Sequence, residues 1–402
     1  MNITELRMAL RPLAFLDAHA DDPDGLLRLR TSPAPRFQVW HEEAVEQVFR
    51  TDRLLTHPAS NTLGPLLGSR SLLWTDGPRH RHYRRLIGPA LHGTHLAGYR
   101  SVIADVARDA VAALPSGTRF GLADWTRRLT LRIIGRILFG DPDDALLTAF
   151  ADWIDKALAV RPRTLVYRYV AHRLPHSGTD FDHALLAAAR RAPDTSIAGR
   201  LAAGGTDDGE LRDQIVSLLF AGHETTASAM AWTLYFLAAC GLDDDVAAEL
   251  RAVDGGADAD RVPLLQAVIK EALRLRPPAP VAGKRALTVD GELRGRPLPA
   301  GTVLVPSIYL AHHRSAAFPD PHRFDPGRFL GTEQPVTPHY FPFGGGTRYC
   351  LGSELATLEI RMVTAAVLRR GKLRCINPDA AVPRFRGPAM APSRRLRTVV
   401  TP

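Results

Sequence analysis

Cysteine is scarce in this chain: Cys240, Cys350 and Cys375 are the 3 among 402 residues. They are too few and too scattered for a disulfide framework or a four-cysteine zinc site, and such usage suits a reducing cytoplasm. Long apolar runs are missing too. No stretch reaches the roughly 20 residues that cross a bilayer. The N-terminal segment MNITELRMALRPLAFLDAHADD is broken by Arg7, Arg11 and Asp17 and lacks the apolar core of a secretory signal. These absences predict a cytoplasmic protein with no membrane anchor. There is no internal repeat or low-complexity linker; residues 202–209 come nearest and read as a short loop. Acidic residues number 42 against 51 Lys and Arg, a net charge of +9. Neither a nucleic-acid motif nor basic–aromatic interleaving accompanies that excess. Nucleic acid is therefore not expected as a partner, and arginines on solvated helix faces account for the charge.

The length allows one large domain or two to three ordinary ones, with room for a buried cofactor. Residues 1–60 mix short helical and strand-like pieces, including the β-prone FQVW at 37–40. From about 95 to 275 the apolar periodicity is helical. Residues 277–310 turn Pro/Gly-rich and strand-like, as ALTVDGELRG and GTVLVPSIYL, and residues 312–345 carry little regular pattern.

One segment carries distinctive chemistry. Residues 341–352 read FPFGGGTRYCLG. Gly344, Gly345 and Gly346 carry no Cβ and permit conformations and close approaches that other residues resist. A flat macrocycle is what such a loop would admit, with backbone N–H groups turned toward the Cys350 sulfur to stabilise a thiolate. Arg348 is placed to pair with a propionate. Leu351, Leu355, Leu358, Val363 and Val367 then recur at helical spacing, with Gly371 as a stop. Cys350 is thus expected at a helix N-terminus, where the dipole favours a negative sulfur. The plainer alternative is a glycine-rich turn holding an inert buried thiol.

The pattern resembles the cysteine-ligand loop of the cytochrome P-450 family, with Phe343, Gly346, Arg348, Cys350 and Gly352 at its five diagnostic positions. The resemblance implies a soluble, bacterial-type fold, mainly α with a small β-rich region, forming one domain over residues 1–402. It places haem b (iron protoporphyrin IX) between a long central helix and the Cys loop, with Gly344 among its contacts and Cys350 as axial ligand of the iron. A thiolate ligand pushes electron density onto iron and favours O–O cleavage.

Residues 208–240 read as one long helix of about 50 Å at 1.5 Å per residue. Asp207, Asp208 and Glu210 cluster at its start, Gly241 follows its end, and its apolar faces predict burial. Gly222 in its middle costs about 1 kcal/mol against Ala, which points to a close approach or a distortion. Glu224, Thr225 and Thr226 need polar partners in such a helix. The segment Ala221-Gly222-His223-Glu224-Thr225-Thr226 resembles the family pattern that bends the helix above the haem. By that resemblance Ala221 and Gly222 line the cofactor, Thr225 hydrogen-bonds the bound oxygen and Glu224 helps relay protons through ordered water. Back-bonding by the threonines alone would also kink the helix. By the same resemblance, the acid–alcohol pair implies use of dioxygen and two electrons over direct use of peroxide.

In PLLQAVIKEALRLRPP, Glu271 and Arg274 stand at i, i+3, by themselves an ion pair of little worth. The resemblance buries them and adds Arg328, from FPDPHRFDPGRF, as a structural clamp on the Cys loop. The segment at 76–91 resembles the helix against the haem. His80 and Arg84 share one face there and, with Arg285 in VAGKRAL, would pair with propionates. Arg79, Arg81, His82 and Arg85 read as surface residues, open to a redox-partner face. The adjacent His312 and His313 point apart and read as structural.

All these motifs lie in family order. They imply an oxidoreductase, a haem-thiolate monooxygenase that inserts one oxygen atom from dioxygen into a hydrophobic organic substrate. Hydroxylation in secondary or natural-product metabolism is the first expectation. The protein is expected as a monomer fed by ferredoxin and ferredoxin reductase or similar donors, because no flavin or iron–sulfur module is present. Epoxidation, desaturation or coupling on the same scaffold is one alternative. A non-catalytic haem sensor or carrier is another, and the Glu224–Thr225 pair argues against it. Residues 63–74, 149–170, 220–221 and 278–282 read as largely apolar pocket walls, with Arg161, Arg163 and Arg168 on the surface.

Overall fold

The β-prone FQVW segment forms the strand Arg36–Val39. It lies antiparallel to Leu26–Arg30 and parallel to Val303–Pro306, with Phe37 opposite Leu304. Arg285–Ala286 completes a four-stranded sheet on the far side of Val303–Pro306. Phe37, Val39, Leu304 and Val305 are buried, so the strand Val303–Pro306 is covered on both faces. The computed structural model describes residues 3–31, 34–58, 63–114, 116–158, 178–253, 262–331 and 336–401. Arg161, Arg163, Arg168 and the pocket wall from 159 onward lie outside them. The chain divides into two compact units, Met1–Pro58 with Asp260–Ser353 and Ala59–Ala259 with Glu354–Pro402.

The first unit holds this sheet. The sequence pattern of GTVLVPSIYL reads as one strand, but the strand stops at Pro306 and a short helix, Ile308–His312, follows. Pro306 has no N–H to extend a ladder, and the Ser307 side chain caps the helix by accepting from Leu310 N. The helix Pro263–Leu275 carries Glu271 and Arg274, both completely buried. Arg274 donates from Nε at 2.7 Å and Nη2 at 2.8 Å to the two Glu271 oxygens. It also donates to the carbonyls of His312 and Pro321, both at 2.8 Å, and of Arg323 at 3.1 Å. Five donors thus meet five acceptors, the full capacity of a guanidinium. Glu271 further accepts from Asp325 N at 2.9 Å and has Arg328 Nε 3.5 Å away. Arg328 also donates to the carbonyls of Pro319 and Asp320. The pair that by itself suggested a surface contact holds together a loop with almost no regular structure.

The second unit is built on the helix Asp208–Ala239. Its N-cap Asp207 accepts from Glu210 N, and Gly241 follows its end with φ +66°. The helix is buried on nearly every face and packs along Leu122–Phe139. At Gly222 an added Cβ would lie 2.7 Å from Ile134 Cγ1, so this glycine marks a close helix–helix approach. The helix Ser353–Arg370 ends at Gly371. Beyond it Lys372–Cys375 and Arg397–Thr401 pair with Phe120–Gly121 in one sheet, and Pro383–Arg386 pairs with Ala389–Pro392. Ser228 Oγ and Trp232 Nε1 both donate to Met390 O, tying that hairpin to the long helix. Among the described residues no single helix is long and apolar enough to cross a membrane.

Arg274→Met leaves Glu271 buried without its partner and is expected to cost about 3–5 kcal/mol, read from the midpoint of urea unfolding. Gly222→Val pushes into Ile134 and is expected to cost about 1–3 kcal/mol, part of which Ile134→Ala should restore in the double variant.

Candidate active site

In the first unit the segment from Phe341 to Cys350 folds back on itself. Gly344 N donates to Phe341 O at 2.9 Å, and Cys350 N donates to Phe343 O at 3.0 Å. Gly344 and Gly346 have φ of +71° and +67°, left-handed values that favour glycine. A single 3-10 turn, Gly346–Arg348, precedes Cys350, whose residue is exposed, while Arg348 and Phe343 are half-buried. The helix expected to begin at Cys350 begins at Ser353, so the cysteine lies in the turn before it. His312 Nε2 accepts from Phe341 N at 3.0 Å. Burial, helped by the Arg274 charge, pushes this imidazole down to about 3, so it stays a neutral acceptor. His313 Nδ1 donates to Tyr309 O at 2.8 Å, so the two histidines serve separate packing contacts.

The neighbours of the glycine triplet differ from the sequence expectation. A Cβ on Gly345 would come within 2.5 Å of the Phe49 ring, and one on Gly346 within 2.7 Å of Asp52 Cγ. The clearance at these two glycines admits protein, not a macrocycle. Asp52 is 1 % exposed. It accepts from Thr347 N at 2.7 Å and from Thr347 Oγ1, from Arg285 Nε at 2.8 Å, and faces His57 Nε2 at 3.2 Å. Burial alone would raise its carboxyl. The His57 contact, the Arg285 charge and the Thr347 bonds outweigh that and hold it well below the usual carboxylate range. Arg285, expected at a propionate, is fully buried and donates also to Gly283 O and to Gly345 O, the latter at 2.8 Å. Each of its two Nη atoms retains one further N–H. Asp52 was not legible as a site residue, because a lone Asp in FRTDRLL carries no motif.

In the second unit, Asp76 caps the helix Gly77–Ile87 by accepting from Gly77 N. His80 is buried and Arg84 half-buried on one face, while Arg79, Arg81, His82 and Arg85 are exposed. Arg79 nevertheless pairs with Glu210 at 2.5 Å. On the long helix Leu218, Ala221, Gly222 and Thr225 are half-buried amid buried neighbours. Their i, i+3, i+4, i+7 spacing makes one accessible stripe of mostly small side chains. Thr225 Oγ1 donates to Ala221 O at 2.8 Å, which spends its proton and leaves the oxygen lone pairs as acceptors.

Glu224 leaves that stripe and enters an ion network. Arg127 reaches it at 2.9 Å, Arg386 at 3.2 Å and His223 Nε2 at 3.3 Å. Asp155 takes a second bond from both arginines. Burial would raise the Glu224 carboxyl, but His223, Arg386 and Arg127 hold it well below the ordinary range, so it is a fixed anion. Among the described residues no hydrogen bond joins Glu224 to Thr225. Arg127, Asp155 and Arg386 sit on three other segments, and no local pattern announces them.

These residues have the chemistry that an iron porphyrin requires. Cys350 offers a soft thiolate ligand from a fixed backbone. Within the first unit Arg348 and Arg285 carry donors suited to a carboxylate; within the second, His80 and Arg84 do so, and the stripe presents small side chains. The donor set fits the group.

Comparison with known proteins agrees. The chain matches the family described as Cytochrome P450 over residues 1–168 and 149–398. It is 31% identical over 398 residues to cyclooctat-9-en-7-ol 5-monooxygenase of Streptomyces melanosporofaciens, covering 92% of this chain and 86% of that protein. It is 35% identical over 380 residues to putative cytochrome P450 135B1 of Mycobacterium tuberculosis, covering 88% of this chain and 79% of that one. Among solved structures, retinoic acid bound cyanobacterial CYP120A1 superposes with a TM-score of 0.82 at 23% identity, over 94% of this chain and 91% of that one. CYP175A1 from Thermus thermophilus gives 0.78 at 28% identity, over 99% of this chain and 97% of that one. A thiol on a glycine-framed loop, a helix with an accessible Ala-Gly-Thr stripe and this likeness along the whole chain lead to one conclusion: the chain belongs to the cytochrome P450 family and is a haem b monooxygenase.

Proposed function

We propose that this monooxygenase hydroxylates a hydrophobic organic substrate in natural-product metabolism, acting as one catalytic domain and as a monomer. Ferredoxin and ferredoxin reductase, or similar donors, supply its electrons. The observation that carries the reading is Cys350, an exposed cysteine on a loop whose backbone is held on both sides. The substrate class is supported by the largely apolar candidate walls and by what two relatives act on or make. One is the monooxygenase of cyclooctat-9-en-7-ol; the other, cyclooctatin synthase of the same Streptomyces species, is 32% identical over 423 residues.

Thiolate-ligated haem supplies oxygen activation when bound. The chain's own residues do the rest. Cys350 would ligate the iron, and Arg348, Arg285, His80 and Arg84 would donate hydrogen bonds to the propionates. Ala221 keeps the stripe low, while the Cβ position of Gly222 faces Ile134 and sets the packing behind it. Thr225, its own proton given to Ala221 O, accepts a hydrogen bond from ordered water and orients it. Glu224 acts as the fixed negative end of that water path, since its arginine partners oppose protonation.

Reduced protein under carbon monoxide should show the absorption band of thiolate ligation. The shorter-wavelength band of histidine ligation would refute the assignment of Cys350, and Cys350→His should bind haem yet lose oxygenation. Thr225→Ala should lower product formed per electron several-fold while substrate still shifts the ferric spectrum; an unchanged yield per electron would remove Thr225 from proton delivery.

A further inference from the structure

The segment ending the helix Glu42–Arg50 and beginning the 3-10 turn Asp52–Leu54 docks directly on the Cys loop. Phe49 occupies the space a side chain at 345 would take, and Asp52 the space at 346. Asp52 then fills its hydrogen-bonding capacity. One oxygen serves Arg285 Nε and His57 Nε2, and the other serves the backbone and hydroxyl of Thr347. Arg285, stacked 5.3 Å from the Phe49 ring centroid, holds Gly345 O from the other end. The carbonyl of 345 and the N–H of 347 are thus fixed by two partners that are themselves an ion pair at 2.8 Å. Cys350 follows three residues later, joined back to Phe343 by its own N–H.

We propose that Asp52 is a positioning residue for the Cys350 thiolate, acting through Thr347 and Arg285. The proposal rests on the haem-thiolate reading. Without Asp52 the loop loses the anchor on Thr347, and Arg285 loses the carboxylate that fixes its Nε, so that its hold on Gly345 O loosens. Either change shifts the backbone that carries Cys350. Thr347 is the gentler probe, because removing its hydroxyl leaves the ion pair intact.

The test uses holoprotein of Asp52→Asn, Thr347→Val and, as a control matched for lost stability, Leu147→Ala, a cavity variant in the second unit. Two quantities are read well below the unfolding temperature: the fraction of reduced, carbon monoxide-bound protein showing the thiolate band, and the rate of haem transfer to apomyoglobin. Asp52→Asn should shift the fraction toward the shorter-wavelength form. It should also speed haem transfer about tenfold, the low end for losing a charge-assisted hydrogen bond. Thr347→Val should move both in the same direction by less, and it carries the test if Asp52→Asn fails to fold. Leu147→Ala should leave the thiolate fraction at the parent value. If the parent shows the thiolate band and Asp52→Asn and Thr347→Val match Leu147→Ala, the positioning role is overturned. A parent without the band overturns the haem-thiolate reading itself.

Discussion

A guanidinium taken out of water must find an acceptor for every N–H, or its burial destabilises the fold. Arg274 satisfies that demand with Glu271 and three loop carbonyls, and much of the first unit follows from it. The bonds to Pro321 and Arg323 shape a stretch with little secondary structure. The bond to His312 O continues through the His312 ring to Phe341 N, the first residue of the Cys loop. Because His312 accepts as a neutral imidazole, this link does not titrate near neutrality. On the loop's other flank Arg285 repeats the device with Asp52. Two buried cations, each matched to a carboxylate, therefore frame a cysteine whose own residue is exposed.

The second unit solves a different problem with one helix. Neighbouring residues of that helix meet opposite environments: Thr225 lies on the accessible stripe, Glu224 among charged partners. Two arginines and two carboxylates from four segments meet at Glu224, so its charge is balanced locally and does not depend on solvent. Gly222 allows Ile134 to press against the helix at the same level. The stripe is thereby held at a fixed height and rotation.

Patterns that are local in sequence were readable, and patterns that depend on distant partners were not. The long helix, its acidic start and its glycine stop all follow from periodicity and capping within one segment. So do the Cys loop, the Glu271–Arg274 spacing and the face shared by His80 and Arg84. The strand that became a helix at Ser307 turned on one capping hydroxyl. The strands after Gly371 run only four or five residues each, too short for alternation to register. Asp52, Arg127, Asp155 and Arg386 carry no motif of their own. Each matters because of a cation or carboxylate far along the chain, and for Gly345 and Gly346 the sequence indicated a close approach without naming Phe49 and Asp52 as what approaches.

The first unit is discontinuous, and this has a consequence for how the protein is made. Asp52 and Thr347 are separated by 295 positions, and Asp52 and Arg285 by 233. At about 5–20 residues per second, a ribosome needs roughly 15–60 s between adding Asp52 and adding Thr347. During that interval the acid has neither its cation nor its loop, and the whole of 59–259 emerges in between. The ligand loop can reach its held geometry only after Thr347 has been added.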